Sequence, residues 1–381
     1  MTYKKLVIIS HTEHQQAADG SVVGWGPTVN EINYLSNHWE ELVHVACLEK
    51  GVAVKGSSLG YTNGNLHFEP IPTFGGRKIW QKLDILWKMP LILWKVQKSL
   101  KGASHVQLRV PMGIGIFLIP YFVFRNKSKY ILWVKYANNW GANRIPFGYK
   151  IQRWLLKKNA TRSKVTINGF WPNQAEHCIS FENPCLTEMQ ITEGKLVIES
   201  KKFDSPFNLI FVGRIDAAKG VDILIDFIRE INKKDIGFFY VVGEGELIGD
   251  FEYVLNEMEI PNRFYGNLTQ AELFEILKIS DCILLPSKSE GFPKVLTEAM
   301  NFGCIPIASN VGSITHYIQN RVSGFILDEI SKNDLNDVWQ NFLNLNSEAK
   351  LIISTNGFEV SQNFTFENYL HNLKMKIFNV S

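Results

Sequence analysis

Short apolar runs alternate with amphipathic helical segments along the whole of this 381-residue chain. "KLVIIS", "HVACL", "HVQLRV", "YILWVKY" and "KVTIN" read as strands in the first half, and "NLIFVG", "FFYVVG", "NRFYG", "CILLPS" and "IPIAS" in the second. Between many of them lie segments with helical periodicity, such as "GVDILIDFIREINKK" and "TQAELFEILKIS". Strands this apolar need cover on both faces, and an α/β layering with parallel sheets supplies it. The length favours two domains. The polar stretch "ESKKFDSPFN" (Glu199–Asn208) precedes a fresh strand–turn–helix start, so the first domain is expected over residues 1–200 and the second from 201.

Charge is distributed unevenly. The formal net charge is only +3, yet Ile85–Ala175 contains sixteen Lys and Arg and no Asp or Glu, which leaves −13 for the rest. A basic segment of that kind suggests an anionic partner for the first half. Nucleic acid is not the expected partner, because no recognisable reading module accompanies the charge. Five cysteines are an odd number and form no C-x-x-C, which fits reduced cytosolic thiols and neither a disulfide frame nor a zinc site. The N-terminal "MTYKKLVIIS" is a first strand and too short for a signal peptide. The longest apolar stretch, Gly113–Phe124, has twelve residues, against the roughly 20 that a membrane span needs. A cytoplasmic protein, soluble or peripheral at a membrane, is expected.

Three segments of the second half carry candidate chemistry. In "NLIFVGRIDAAKG" a strand ends in a tight turn at Gly213, with Arg214 and Lys219 before a helix that begins near Gly220. Open α/β sheets bind ligands at this end of their strands. Two cations beside a helix start suit a diphosphate. In "FFYVVGEGEL" the strand ends at Gly243, but Ile248 stands where the dinucleotide fingerprint requires its third glycine, so nicotinamide binding loses its support. The third segment is "PSKSEGFPKVLTEAMNFG". Pro293 suits a first helical turn and Gly303 a helix end. Glu290 then lies in the loop and Glu298 inside the helix, with the amides of Gly291, Phe292 and Lys294 around a start that attracts an anion. The two carboxylates suit hydroxyls, Glu298 those of a ribose and Glu290 those of a sugar. In the first half, "SVVGWGPTVNEINYLS" is a glycine-containing loop and helix start after the first strand, where Gly24 and Gly26 would let backbone approach a ligand.

The ordered series "FVGRIDAAKG", "VVGEGEL", "FYGNLTQAELFEILKISDCILLPSKSEGFPKVLTEAMNFGCIPIASNVGS" and "NRVSGFIL", about residues 208–328, resembles family 4 of the retaining GT-B glycosyltransferases. The resemblance implies two Rossmann-like domains facing an interdomain cleft, with the donor mainly on residues 201–360 and the acceptor on the N-terminal domain. "NFTFENYLHNLKMKIF" resembles the closing helix, residues 361–381, which returns to the first domain. The family's paired glutamates fall on Glu290 and Glu298, its diphosphate-binding Arg and Lys on Arg214 and Lys219, and its loop amides on Gly291, Phe292 and Lys294; Pro293 cannot donate. The implied activity is retaining transfer of a hexose-type sugar from a nucleoside-diphosphate sugar to a glycan or lipid-linked acceptor in polysaccharide biosynthesis. No cofactor is implied. The chain contains no D-x-D, which fits a metal-independent enzyme.

Two departures concern the acceptor side. Relatives often carry a histidine where this chain has Lys135 and Tyr136, and a glutamate near the place of His316. His11, His14 and His105 are candidates to compensate. The alternative function is therefore a catalytically silent GT-B protein that binds glycan or nucleotide. Finally, "KIWQKLDILWKMPLILWKVQKSLKG" sets Trp80, Trp87 and Trp94 at seven-residue spacing, with Leu83 and Leu91 on the same face. Lys78, Lys82, Lys88, Lys95 and Lys98 surround them, and Pro90 is expected to kink or divide the helix. Tryptophan beside lysine suits an interfacial helix on an anionic membrane; the same tryptophans could instead pack into the core.

Overall fold

The computed structural model describes residues 2–52, 58–74, 79–125 and 129–379. Two compact units emerge, one of Met1–Phe181 with Leu370–Ser381 and the other of Glu182–Tyr369.

The first unit contains β1 (Tyr3–Ile9), β2 (His14–Gln16), β3 (Val22–Trp25), α1 (Gly26–Ser36), β4 (Trp39–Val52), β5 (Ser58–Gly60), β6 (Leu66–Ile71), α2 (Ile79–Ser99), β7 (His105–Val110), α3 (Gly115–Phe124), β8 (Ile131–Tyr136), α4 (Phe147–Lys157), β9 (Lys164–Ile167) and β10 (Cys178–Ser180). Its strands follow the order β10-β9-β8-β7-β1-β4-β2-β3-β5, with β6 also on β4. All pairings among β1, β4, β6 and β7 to β10 are parallel, as the continuous apolar runs require. The antiparallel β2–β3–β5 extension was not legible, because its strands are short and partly polar.

α2 runs unbroken through Pro90. Pro90 is exposed, so the Leu86 carbonyl that it deprives of a partner lies on the outer side of the helix. Met89, Ile92 and Val96 form its buried stripe. Trp87, Leu91 and Trp94 stand on the opposite side, with Trp87 87% and Trp94 59% exposed. The packing expected of aromatic stripes does not occur at these two positions. Lys88 pairs with Asp84 and Lys95 with Glu69, whereas Lys98 lies over the Trp94 ring. Lys78 and the side chains of Trp80, Lys82 and Leu83 lie outside the described residues.

The second unit contains α5 (Glu188–Ser200), β11 (Phe207–Val212), α6 (Val221–Ile228), β12 (Ile236–Val242), α7 (Ile248–Glu257), β13 (Asn262–Phe264), α8 (Gln270–Ile279), β14 (Cys282–Leu285), α9 (Lys294–Asn301), β15 (Ile305–Ser309), α10 (Ile314–Tyr317), β16 (Phe325–Leu327), α11 (Lys332–Leu343) and α12 (Ser347–Ser361), then the start of α13 (Phe366–Asn372). Its six parallel strands follow the order β13-β12-β11-β14-β15-β16, which is Rossmann-like.

The unit starts before residue 201 because α5 belongs to it. Asn301 of α9 donates to the Gln190 carbonyl at 3.0 Å, and a Cβ on Gly194 would lie 2.2 Å from the Asn301 carbonyl oxygen. At the other end, Phe378 packs against Tyr3, Trp39, His105 and Trp133, which ties the last residues to the first unit. His105 also accepts from Trp39 Nε1 at 3.3 Å, so this histidine serves packing at the N-terminal end of β7.

Glycines 243 and 245 are explained by chain crossing. Gly243 has φ of +133°, and a Cβ there would lie 1.9 Å from the Gly213 carbonyl oxygen; one on Gly245 would lie 2.3 Å from that of Ile215. The turn after β12 is thus pressed onto the turn after β11. Gly243→Ala is expected to cost about 2–4 kcal/mol from strain and overpacking. Gly249→Ala, in α7 with open space around it, should gain up to ~1 kcal/mol. Urea unfolding of both variants checks the contrast.

Candidate active site

β11 and β14 are hydrogen-bonded neighbours, but the chain leaves β11 toward β12 on one side and β14 toward β15 on the other. At such a switch point two loops part and leave a crevice at the strands' C-terminal ends. The turn carrying Arg214 and Lys219 and the loop carrying Glu290 both open there.

These segments are locked together. Lys219 Nζ forms an ion pair with Glu290 Oε1, both part-buried. The Lys288 amide donates to the Ala218 carbonyl at 2.9 Å. Gly220 has φ of +75°, and a Cβ there would lie 2.1 Å from the Pro286 carbonyl oxygen. From the other side, the amide and hydroxyl of Ser313 donate to the Gly291 carbonyl at 2.8 and 3.0 Å. Gly312, with φ of +63°, leaves room that a Cβ would take 2.3 Å from the carbonyl oxygens of both Glu290 and Gly291. Phe292 stacks on Phe364 and meets Tyr317. The loop at the crevice is therefore preorganised.

No side chain caps α9, whose N-cap is Pro293. The Gly291 and Phe292 amides, among the described residues, donate to no backbone acceptor. Lys294 directs its ammonium to the Pro184 carbonyl at 2.7 Å. Glu298 is buried and accepts from Gln270 Nε2 at 2.7 Å; its burial pushes the carboxyl above the usual range. Gln270 in turn donates to the Cys185 carbonyl. Arg214 is mostly exposed and bonds Asp216 at 3.1 Å. Gly213 and Gly243 touch each other, one behind the other, at the base of these turns. This part of the chain thus offers two cations, an uncapped helix start and two carboxylates in different environments, a set suited to a phosphorylated ligand rich in hydroxyls. His316, on the short α10 after Gly312, has its pKa lowered by burial.

The first unit holds a second polar centre that sequence reading missed. Glu31 of α1 accepts from Arg109 Nη2 at 2.9 Å and from Lys135 Nζ at 2.7 Å, and all three are buried. Lys135, standing at the expected histidine position, is thus engaged by Glu31. The signal was a charged residue inside each of two buried strands, "HVQLRV" and "YILWVKY". Arg109 lines a cavity of about 570 Å³ with Ser10, His11, Thr12, Trp25, Asn138 and Tyr149 among others.

Beside this cavity runs a part-buried chain of hydrogen bonds. His14 Nδ1 meets the Thr12 carbonyl at 2.8 Å, so that nitrogen carries the proton and Nε2 accepts from the Tyr61 hydroxyl at 2.8 Å. The Tyr61 oxygen then accepts from His44 Nδ1 at 2.6 Å, which leaves His44 Nε2 facing Ser10 Oγ at 2.8 Å; the same hydroxyl meets Thr12 Oγ1 at 3.1 Å. Both imidazoles are neutral: burial pushes His14 down to about 4, and burial with nearby positive charge holds His44 well below its ordinary value. His14 also explains Gly24, since a Cβ there would lie 2.4 Å from the His14 ring. Gly24 therefore makes room for that ring. Gly26 starts α1 and is buried.

Residues 195–359 match the family model for glycosyl transferases group 1. An uncharacterized glycosyltransferase of Methanocaldococcus jannaschii is 31% identical over 206 residues, 54% of either chain. The UDP-Gal:alpha-D-GlcNAc-diphosphoundecaprenol alpha-1,3-galactosyltransferase of Escherichia coli is 32% identical over 119 residues, 31% of this chain and 29% of its own. The match thus spans about half or less of these curated relatives. Among solved structures, HepE of Anabaena in complex with UDP superposes with a TM-score of 0.66 at 13% identity, covering 98% of this chain and 99% of that one. The chain has the GT-B fold, with two Rossmann-like halves.

The neutral histidines set a pH dependence. A folded pKa of about 4 for His14 lies below its unfolded value, so the unfolded chain binds more protons and stability falls as pH drops from 6.5 toward 4. His14 alone accounts for up to about 3 kcal/mol of that loss, at roughly 1.4 kcal/mol per unit. Urea unfolding at pH 7 and pH 4.5 should show the slope, and His14→Gln should flatten it; an equal slope in the variant would remove the assignment.

Proposed function

We propose that this chain is a retaining glycosyltransferase that moves a hexose-type sugar from a nucleoside-diphosphate sugar to a glycan or lipid-linked acceptor in polysaccharide biosynthesis. The observation that carries this reading is the meeting of Lys219, Glu290 and the uncapped start of α9 at the switch point between β11 and β14. The diphosphate leaves with growing negative charge, and Arg214, Lys219 and the amides of Gly291 and Phe292 stabilise it there. On donor binding Lys219 exchanges its Glu290 partner for phosphate, which frees the Glu290 carboxylate to orient the sugar. Glu298, held by Gln270, accepts from the ribose hydroxyls. Cations and helix amides supply the positive charge, so the reading needs no metal and no cofactor. The UDP complex of the Anabaena protein supports a uridine nucleotide as the first donor to try. On the acceptor side, the first unit's cavity presents Trp25 and Tyr149 to sugar faces and Ser10 and Asn138 to hydroxyls.

The rival reading, a catalytically silent binding protein, draws on the engagement of Lys135 by Glu31. One set of variants decides between them. Arg214→Ala should weaken UDP binding roughly 10- to 150-fold, the equivalent of about 1.5–3 kcal/mol for a charged hydrogen bond. Glu290→Gln should bind UDP normally yet lose most donor hydrolysis or transfer, whereas Glu298→Ala should weaken the nucleotide itself. Calorimetry and a sugar-nucleotide turnover assay read these outcomes. Parent-level turnover in both glutamate variants would make the pair structural.

We also infer that the chain works from the cytoplasmic side as a peripheral protein on an anionic membrane. The outward Trp87, Leu91 and Trp94 stripe of α2 supports this, since aromatic side chains of that kind settle at the headgroup boundary.

A further inference from the structure

β1, β7 and β8 run parallel, and the first unit has a cavity at each end of them. The one beyond their C-terminal ends contains Arg109. The other, of about 620 Å³, lies at the N-terminal ends, where the chain enters β1 at Lys4, β7 after Lys101 and β8 after Lys129. That volume falls in the ligand-site range of about 300–1,000 Å³. Arg125 lines it from the end of α3, with Leu100 and Tyr130 as its apolar wall.

Among the described residues, four cations and no carboxylate line this cavity. Among the described residues none of the four has an ion-pair partner, in contrast to the neighbouring Lys5, which pairs with Glu41. The ends of α2 and α3 close by attract positive charge, but each contributes only about half an elementary charge. Two helix ends therefore account for about one of the four cations. The Tyr130 hydroxyl is buried without a hydrogen-bond partner.

The surroundings indicate which anion fits. Trp94 stands one turn before Gln97, which also lines the cavity, and Phe124, 87% exposed, directly precedes Arg125. Exposed aromatic side chains thus flank, on two elements, a basic cavity whose described cations have no carboxylate partner, with Arg125 over the Tyr121 ring. The lysines that sequence reading assigned to headgroups include Lys88 and Lys95, and both are already neutralised by Asp84 and Glu69. We propose that this cavity is the headgroup site of the membrane-docking face: it takes the phosphate of an anionic phospholipid while Trp87, Trp94 and Phe124 enter the acyl boundary. The proposal rests on the membrane reading given above and assigns its charge to different residues.

The experiment is sedimentation of the full chain with vesicles of phosphatidylglycerol and phosphatidylcholine, or phosphatidylcholine alone, at low salt. The parent should sediment only with the anionic vesicles. Lys101→Gln with Lys129→Gln, both at exposed positions, should lower partitioning roughly 30-fold, at about fivefold per surface cation. Lys88→Gln with Lys95→Gln should change it far less, and sugar-nucleotide turnover in the Lys101/Lys129 variant should match the parent. A parent that ignores anionic vesicles overturns both the membrane reading and this site. A parent that sediments as well as its Lys101/Lys129 variant overturns the site alone. If inorganic pyrophosphate raises the parent's melting temperature through these lysines and vesicles do not bind, the site takes a soluble anion and the lipid assignment is wrong.

Discussion

The pairing of β11 with β14 is the constraint on which the candidate site depends. Residues more than seventy positions apart in sequence, Lys219 and Glu290, form an ion pair because these two strands are hydrogen-bonded neighbours whose loops leave in opposite directions. Glycine then sets the tolerances. At positions 220, 243 and 312 the backbone adopts positive φ and passes another segment at distances that no side chain would allow. The result is a loop fixed on both sides before any ligand arrives. A charged group held that way loses little reorganisation energy when charge develops beside it, which is the physical advantage of preorganised donors over solvent.

The first unit manages charge differently. Glu31 carries one negative charge against the two positive charges of Arg109 and Lys135, all within buried surroundings. Removing the carboxylate would take the shared ion-pair partner from two buried cations, the expensive case for a buried ion pair. The neighbouring His14–Tyr61–His44–Ser10 chain is uncharged and tied to the loop that lines the Arg109 cavity. A relay that ends on a peptide carbonyl has nowhere to pass a proton, so its work is to fix the positions of Ser10 and Thr12.

How much of this was legible differed between the halves. In the second half, strand ends, turn glycines and the Glu290/Glu298 spacing lie in local sequence, because each strand–turn–helix step is written in consecutive residues. In the first half, Gly24 offers room for a ligand when only local sequence is considered, and the fold fills that side with the His14 ring. Lys88 and Lys95 look from sequence like charge for a membrane, but they fold back onto carboxylates, Asp84 on the same helix and Glu69 on β6. A lysine's long flexible stem reaches partners that periodicity does not register.

By itself the sequence determined an α/β chain with parallel sheets, most of the strand–helix alternation in its second half, and the residues that gather at the ends of β11 and β14, since apolar runs, caps and turn residues act over a few positions. The tertiary structure alone decided that α5 joins the second unit and the last residues the first, that Glu31 satisfies Lys135, that Trp87 and Trp94 face outward, and that Lys4, Lys101, Arg125 and Lys129 share one cavity. Those outcomes depend on which surfaces meet when strands distant in sequence pair, and hydrogen bonds and ion pairs between such segments form only after that packing has brought the groups within about 3–4 Å.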